Sequence, residues 1–102
     1  MATSVERRKP KNVVTGQVNL SGSAEAIGSS FDLVASEMTV KAAVGNTDPL
    51  YIGSHSDVGG TTVTTGNGFE LRAGQQVTVT VGSPHELYVI GTADDDISWI
   101  AS

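Results

Sequence analysis

The side chains able to do chemistry are few. The chain has 102 residues, two histidines (His55 and His85) and no cysteine. Without Cys there is no disulfide scaffold, thiol nucleophile or Cys-ligated cluster. A transition-metal site on a β-barrel draws on roughly three His and a carboxylate. Two His in separate loops fall short of that, so neither a metal nor any other cofactor is expected. Ser54, His55 and Asp57 are the residue types of a hydrolytic triad. Neighbours on one loop are not a geometry, however, and no nucleophile elbow accompanies them. His55 is therefore expected to face solvent. Gly66-Asn67-Gly68 lacks the Lys and the helix of a phosphate loop. Asp94-Asp95-Asp96 is the densest acidic run. Calcium loops space their carboxylates at alternate positions, whereas contiguous ones point apart. The expectation is a solvated turn at which Asp95→Asn is nearly neutral. No catalytic residue emerges, and the chain is not expected to be an enzyme.

The charge is divided unevenly. Residues 1–11 hold Arg7, Arg8, Lys9 and Lys11 against Glu6, a net of +3, and residues 12–102 hold Lys41 and Arg72 against ten acids, a net of −8. A short basic arm on an acidic body has two readings: a disordered, solubilising terminus, or an arm that lies on an acidic surface of a neighbouring subunit or of a large assembly, for which Arg7, Arg8, Lys9 and Lys11 are the candidate partner-contact residues. Four cations with no interleaved aromatic make a poor nucleic-acid footprint, and the body would repel phosphate. No apolar run approaches the length of a membrane span, and the basic N-terminus has no apolar stretch behind it as a secretory signal would.

The elements that must position these residues are strands. Residues 1–12 carry no periodicity and read as an extended arm. Residues 13–102 read as one domain, with a candidate strand at 13–20 and a Gly/Ser-rich crossing at 21–30 in which 24–27 is too short to assign. Residues 33–44 alternate with period two, placing Met38, Val40 and Val44 inward. Gly45 to Pro49 is a turn, and Leu50–Gly53 a short strand. The polar stretch 54–68 offers an edge strand at Thr61–Thr65. Phe69–Leu71 alternates, and Ala73-Gly74 turns the chain. Gln76–Val81 is the clearest strand, with Val77, Val79 and Val81 on one face and Thr78 and Thr80 on the other. Leu87–Ile90 and Ile97–Ile100 complete the set. Turn signals every 8–12 residues and no helical stripe predict an all-β fold: a small antiparallel β-sandwich or jelly-roll-like barrel with an extended N-terminal arm. Five aromatics (Phe31, Tyr51, Phe69, Tyr88, Trp99) match the need of a single core.

Three stretches of the second half carry a resemblance: VGNTDPLYIG at 44–53, GFELRAGQQVTVTV at 68–81 and LYVIGTADDDISWI at 87–100. In this order they resemble small tailed-phage virion proteins, in particular the short β-sandwich modules found as capsid decoration (cement) proteins and other head or tail accessory proteins. The resemblance covers residues 40–102 and consists of turn and strand markers. It implies a non-enzymatic virion protein, made in the host cytoplasm and carried on the phage head surface. Such a protein binds the major capsid protein lattice as a homo-oligomer, with a trimer favoured. The alternative is a tail, baseplate or fibre-associated module that contacts a receptor or glycan, for which the chain offers Tyr51, Tyr88 and the Asp94–Asp96 turn. A sandwich of this size has free sheet edges, and oligomerisation is a common way to protect them. Fully extended, the 12-residue arm reaches ~40 Å, far enough to cross to a neighbour.

Overall fold

The computed structural model describes residues 13–28, 37–81 and 84–101. The arm with Arg7, Arg8, Lys9 and Lys11 lies outside the described residues, as do 33–36 of the third predicted strand and the Gly82-Ser83 turn. Eight strands follow one another: β1 (Val14–Asn19), β2 (Glu25–Ala26), β3 (Met38–Ala42), β4 (Leu50–Gly53), β5 (Phe69–Leu71), β6 (Gln76–Val79), β7 (Tyr88–Ile90) and β8 (Asp96–Ala101). Two single 3₁₀ turns, Ser56–Val58 and Pro84–Glu86, complete the assigned elements.

The strands form two four-stranded antiparallel sheets, ordered β1-β8-β3-β6 and β2-β7-β4-β5. The pairings β1–β8, β2–β7, β3–β6 and β4–β5 nest inside one another. Such nesting is a long hairpin rolled across two layers, so the architecture is an eight-stranded jelly roll. The expected small antiparallel β-sandwich is thus present as two four-stranded sheets, and the strand order gives it jelly-roll topology.

Alternation builds the core. β3 turns Met38, Val40 and Ala42 inward and Thr39 and Lys41 outward, and β8 turns Ile97, Trp99 and Ala101 inward. With Leu50 and Ile52 of β4, Val89 of β7 and Leu20, Ile27, Leu71 and Leu87, these residues make one continuous core. Val77, Val79 and Val81 pack against it half-buried, on the face their spacing predicts.

Two expectations are corrected. Val44 is 75% exposed rather than inward. The strand ends at Ala42, and the Asn46 amide donates to the Ala43 carbonyl (3.1 Å), so Val44 sits within the turn itself. Ala42 takes the inward place. Thr61–Thr65 does not form an edge strand; its pairing is a single parallel bridge, Ser54 to Thr62. Here side chains satisfy the backbone locally. Asn67 Oδ1 accepts from the Thr64 amide (2.7 Å), Asn67 Nδ2 donates to the Thr62 carbonyl (3.2 Å), and Thr64 Oγ1 accepts from the Gly66 amide (3.1 Å). Asn and Thr offering such bonds compete with a ladder. The loop is instead pinned by Val63, buried over β4 where Gly53 and Gly68 leave room for it. A Cβ on Gly68 would come within 2.7 Å of Tyr51 Cβ and Val63 Cγ2.

Candidate functional site

The three adjacent aspartates occupy three different environments. Asp94 is exposed at a left-handed turn position with φ 75°. Asp96 opens β8 and points outward, its Oδ1 accepting from Asn19 Nδ2 (2.9 Å). Asp95 is turned inward and is 6% exposed. The expectation of a solvated turn is therefore wrong at its central residue. The reason lies in the β3–β4 loop: the Thr47 amide donates to both Asp95 oxygens (3.0 and 3.1 Å), the Thr47 hydroxyl lies 3.1 Å from each, and the Asp48 amide donates to Oδ2 at 3.2 Å. The backbone hydrogen bond from Thr47 is the largest influence lowering the Asp95 pKa. Those from the Asp48 amide and the Thr47 hydroxyl act in the same direction, against the desolvation that raises it.

The same end of the molecule carries a second clasp. Asn46 Nδ2 donates to the Asp96 carbonyl and Asn46 Oδ1 accepts from the Asp96 amide, both at 2.8 Å. Thr92 Oγ1 donates to Asp48 Oδ2 at 2.8 Å. The acidic end thus joins the β3–β4 and β7–β8 loops through internal bonds. Among the described residues, no group of three or more His, Asp or Glu is placed to hold a metal ion. Sequence reading missed Asn46, Thr47 and Asp48 as partners of the acidic run. Their signal is type alone, since Asn-Thr-Asp beside a Pro reads equally as an ordinary turn.

His55 is not solvent-facing either. Its ring stacks on Tyr88 with centroids 4.5 Å apart and 23° between planes, and the side chain is only 22% exposed. Nδ1 accepts from the Asp57 amide (3.0 Å), capping the first 3₁₀ turn. The Asp57 carboxylate lies 3.4 Å from the same nitrogen. Ser54 Oγ donates to the Thr61 carbonyl (3.0 Å). The Ser54 and His55 side chains are therefore engaged in shaping the loop, not in presenting an activated hydroxyl.

A concavity of about 520 Å³ lies elsewhere, on the outer face of the β1-β8-β3-β6 sheet. Thr15, Gln17, Thr39, Lys41, Gln76, Ser98 and Ile100 line it. Register sets them in two rungs, Thr15–Ile100–Thr39 and Gln17–Ser98–Lys41–Gln76. Neither rung contains a carboxylate, though the body is strongly acidic. Loss of charge from a surface patch is the compositional mark of interface cores. Ile100 is 47% exposed at its centre. The outer face of the other sheet, by contrast, is partly covered by the 54–68 loop, through Val63 and the His55–Tyr88 stack.

No family model matches the sequence, and no curated protein matches it. A solved structure of a chain from Bacillus endospore appendages, described as a family of disulfide-linked pili, is similar. The TM-score is 0.51 and the identity 18%, over 89% of this chain and 85% of that one. At that identity the likeness concerns the fold. It supports a small β-protein architecture and does not point to a phage head. Among the described residues, no helix is long and apolar enough to cross a membrane.

Proposed function

We propose that the protein is a non-enzymatic structural subunit that acts by associating with copies of itself and with a larger lattice. The observation that carries this reading is the division of polar groups. The side chains with chemical potential (Asp95, His55, Ser54, Asn46) are engaged inside the loops, while among the described residues nothing covers a charge-poor sheet face or pairs with the outer edge of β1. A catalytic centre needs the reverse: convergent polar groups aimed into a pocket. The similarity to an appendage subunit supports a structural role on the same fold, although a fold alone does not fix a function. This chain has no cysteine, so disulfide linkage is not available to it.

Within that class, the turn and strand markers at 44–53, 68–81 and 87–100 favour a phage virion protein of the capsid decoration type. The basic residues Arg7, Arg8, Lys9 and Lys11 are its lattice-contacting segment, and the virion head surface is its place. Weak contacts repeated over many copies add through effective concentration. The test is light scattering of the purified protein over a broad concentration range, followed by co-sedimentation with phage heads lacking their decoration protein. A self-associated species that pellets with the heads is expected. A strictly monomeric protein that stays in the supernatant overturns the reading.

A further inference from the structure

The four sheet edges are not equally protected. β2 has two residues. β5 has three, carries Glu70, and is followed by Arg72, whose amide is capped by Gln75 Oε1 at 2.9 Å. β6 has four and adjoins β5 across a hollow lined by Phe69, Glu70 and Leu71. Shortness, charge and side-chain caps are how proteins blunt edges against further pairing. β1 has none of these devices. Its six residues, Val14-Thr15-Gly16-Gln17-Val18-Asn19, include no charge and no proline, and all six pair with β8.

The free groups on β1 can be assigned. The Leu20 amide donates to the Asp95 carbonyl (2.8 Å) and the Ala43 amide to the Asp96 carbonyl (3.1 Å). Antiparallel ladders alternate. Val14, Gly16 and Val18 therefore bond to β8, while the amides and carbonyls of Thr15, Gln17 and Asn19 face outward. Among the described residues, nothing pairs with those outward groups.

We propose that β1 is a self-association seam: it pairs antiparallel with β1 of a second copy across a two-fold axis centred on Gln17. This deepens the structural-subunit reading and rests on it. In this register Gln17 faces Gln17 of the second copy, Thr15 faces Asn19, and the two four-stranded sheets become one of eight. Charge disfavours a second copy at β2 (Glu25) and β5 (Glu70), and length sets the six-residue β1 apart from the equally uncharged, four-residue β6. A subunit whose body carries −8 meets its twin with least repulsion along a strand bearing no charge. Packing fits as well. Val14 and Val18 are only half-buried in the single subunit, and the seam would cover their open side. Trp99, the single tryptophan, lies beneath the seam: a Cβ on Gly16 would come within 2.6 Å of its Nε1. A two-fold seam builds dimers, in place of the three-fold arrangement expected from the sequence.

The test uses the full chain, sedimentation equilibrium and Trp99 emission as a second readout. Gln17→Pro removes one outward N–H without touching the β8 ladder, a placement edge strands tolerate. It is expected to keep the β-type circular dichroism and lose the dimer. Gln17→Lys and Gln17→Glu guard against a proline that unfolds the chain. Each sets like charges opposite one another and is expected to weaken the dimer about tenfold or more. Mixing the Lys and Glu variants restores it, because residue 17 faces itself only across this two-fold. Folded variants that dimerise like the wild type, or a mixture that fails to recover, overturn the seam and leave the structural-subunit reading standing. A wild-type chain that is monomeric throughout overturns both.

Discussion

Asp95 shows what one side chain does when a loop closes around it. Two donors of Thr47 and the Asp48 amide converge on its carboxylate, and the charge is what those donors hold. Asp95→Ala leaves Thr47 and Asp48 donors without an acceptor, and buried unpaired donors are costly. A melting temperature lower by several degrees is expected in circular dichroism, with Asp95→Asn falling between wild type and Ala because one acceptor oxygen remains. The pH dependence follows from the lowered pKa. A carboxylate whose folded pKa is depressed binds its proton more readily when unfolded. Its stabilisation is therefore complete above the ordinary value of 3.8 and is lost as pH falls below that toward the folded value. Melting curves recorded from neutral to strongly acid pH should show this decline in the wild type and a shallower one in Asp95→Asn. Equal slopes would remove Asp95 from the account of acid stability.

At the scale of elements, the β4–β5 loop and the end of β3 carry the informative departures. The loop is anchored by Val63 between Gly53 and Gly68, separately from the main core. Val63→Ala should cost about 2 kcal/mol, the transfer of two methyl groups plus the cavity they leave. Gly68→Ala forces a Cβ against Tyr51 and Val63 and should cost about 1–3 kcal/mol as overpacking. Both are read by denaturant titration. By contrast Val44→Lys should shift stability by no more than about 0.5 kcal/mol, since the turn has carried Val44 into solvent. These outcomes separate two kinds of sequence signal. The period-two runs at 38–42 and 76–81 are legible because a sandwich strand shows its face in its own pattern. The 61–65 stretch has strand-forming residues but uses Asn67 and Thr64 to bond its backbone locally, and composition does not reveal that choice.

At the scale of the whole molecule, a net charge of −5 acts on assembly rather than on the fold. Copies repel one another at low ionic strength, so added salt should strengthen self-association, visible as a rising weight-average mass in sedimentation at fixed protein concentration. Removing residues 1–12 should leave the β-type circular dichroism and the melting temperature nearly unchanged, because the first strand opens at Val14. The same truncation should reduce retention on undecorated phage heads if the basic segment is the lattice contact. Loss of folding on truncation would move the domain boundary toward the N-terminus.

The all-β class, most strand positions and the division of charge were determined by the sequence alone, because period two, glycine turns and residue type are local properties. Strand order was decided only in three dimensions. The nested pairing of β1 with β8 and β3 with β6 joins segments far apart in the chain, and nothing local distinguishes a jelly roll from another sandwich. The fates of Asp94, Asp95 and Asp96 were settled the same way. Three identical neighbours became a turn residue, a buried acceptor and a strand residue because the β3–β4 loop, some fifty positions earlier in the chain, brings Asn46, Thr47 and Asp48 against them. Burial and hydrogen bonding are properties of the partner as much as of the residue, and the partner is chosen by the fold.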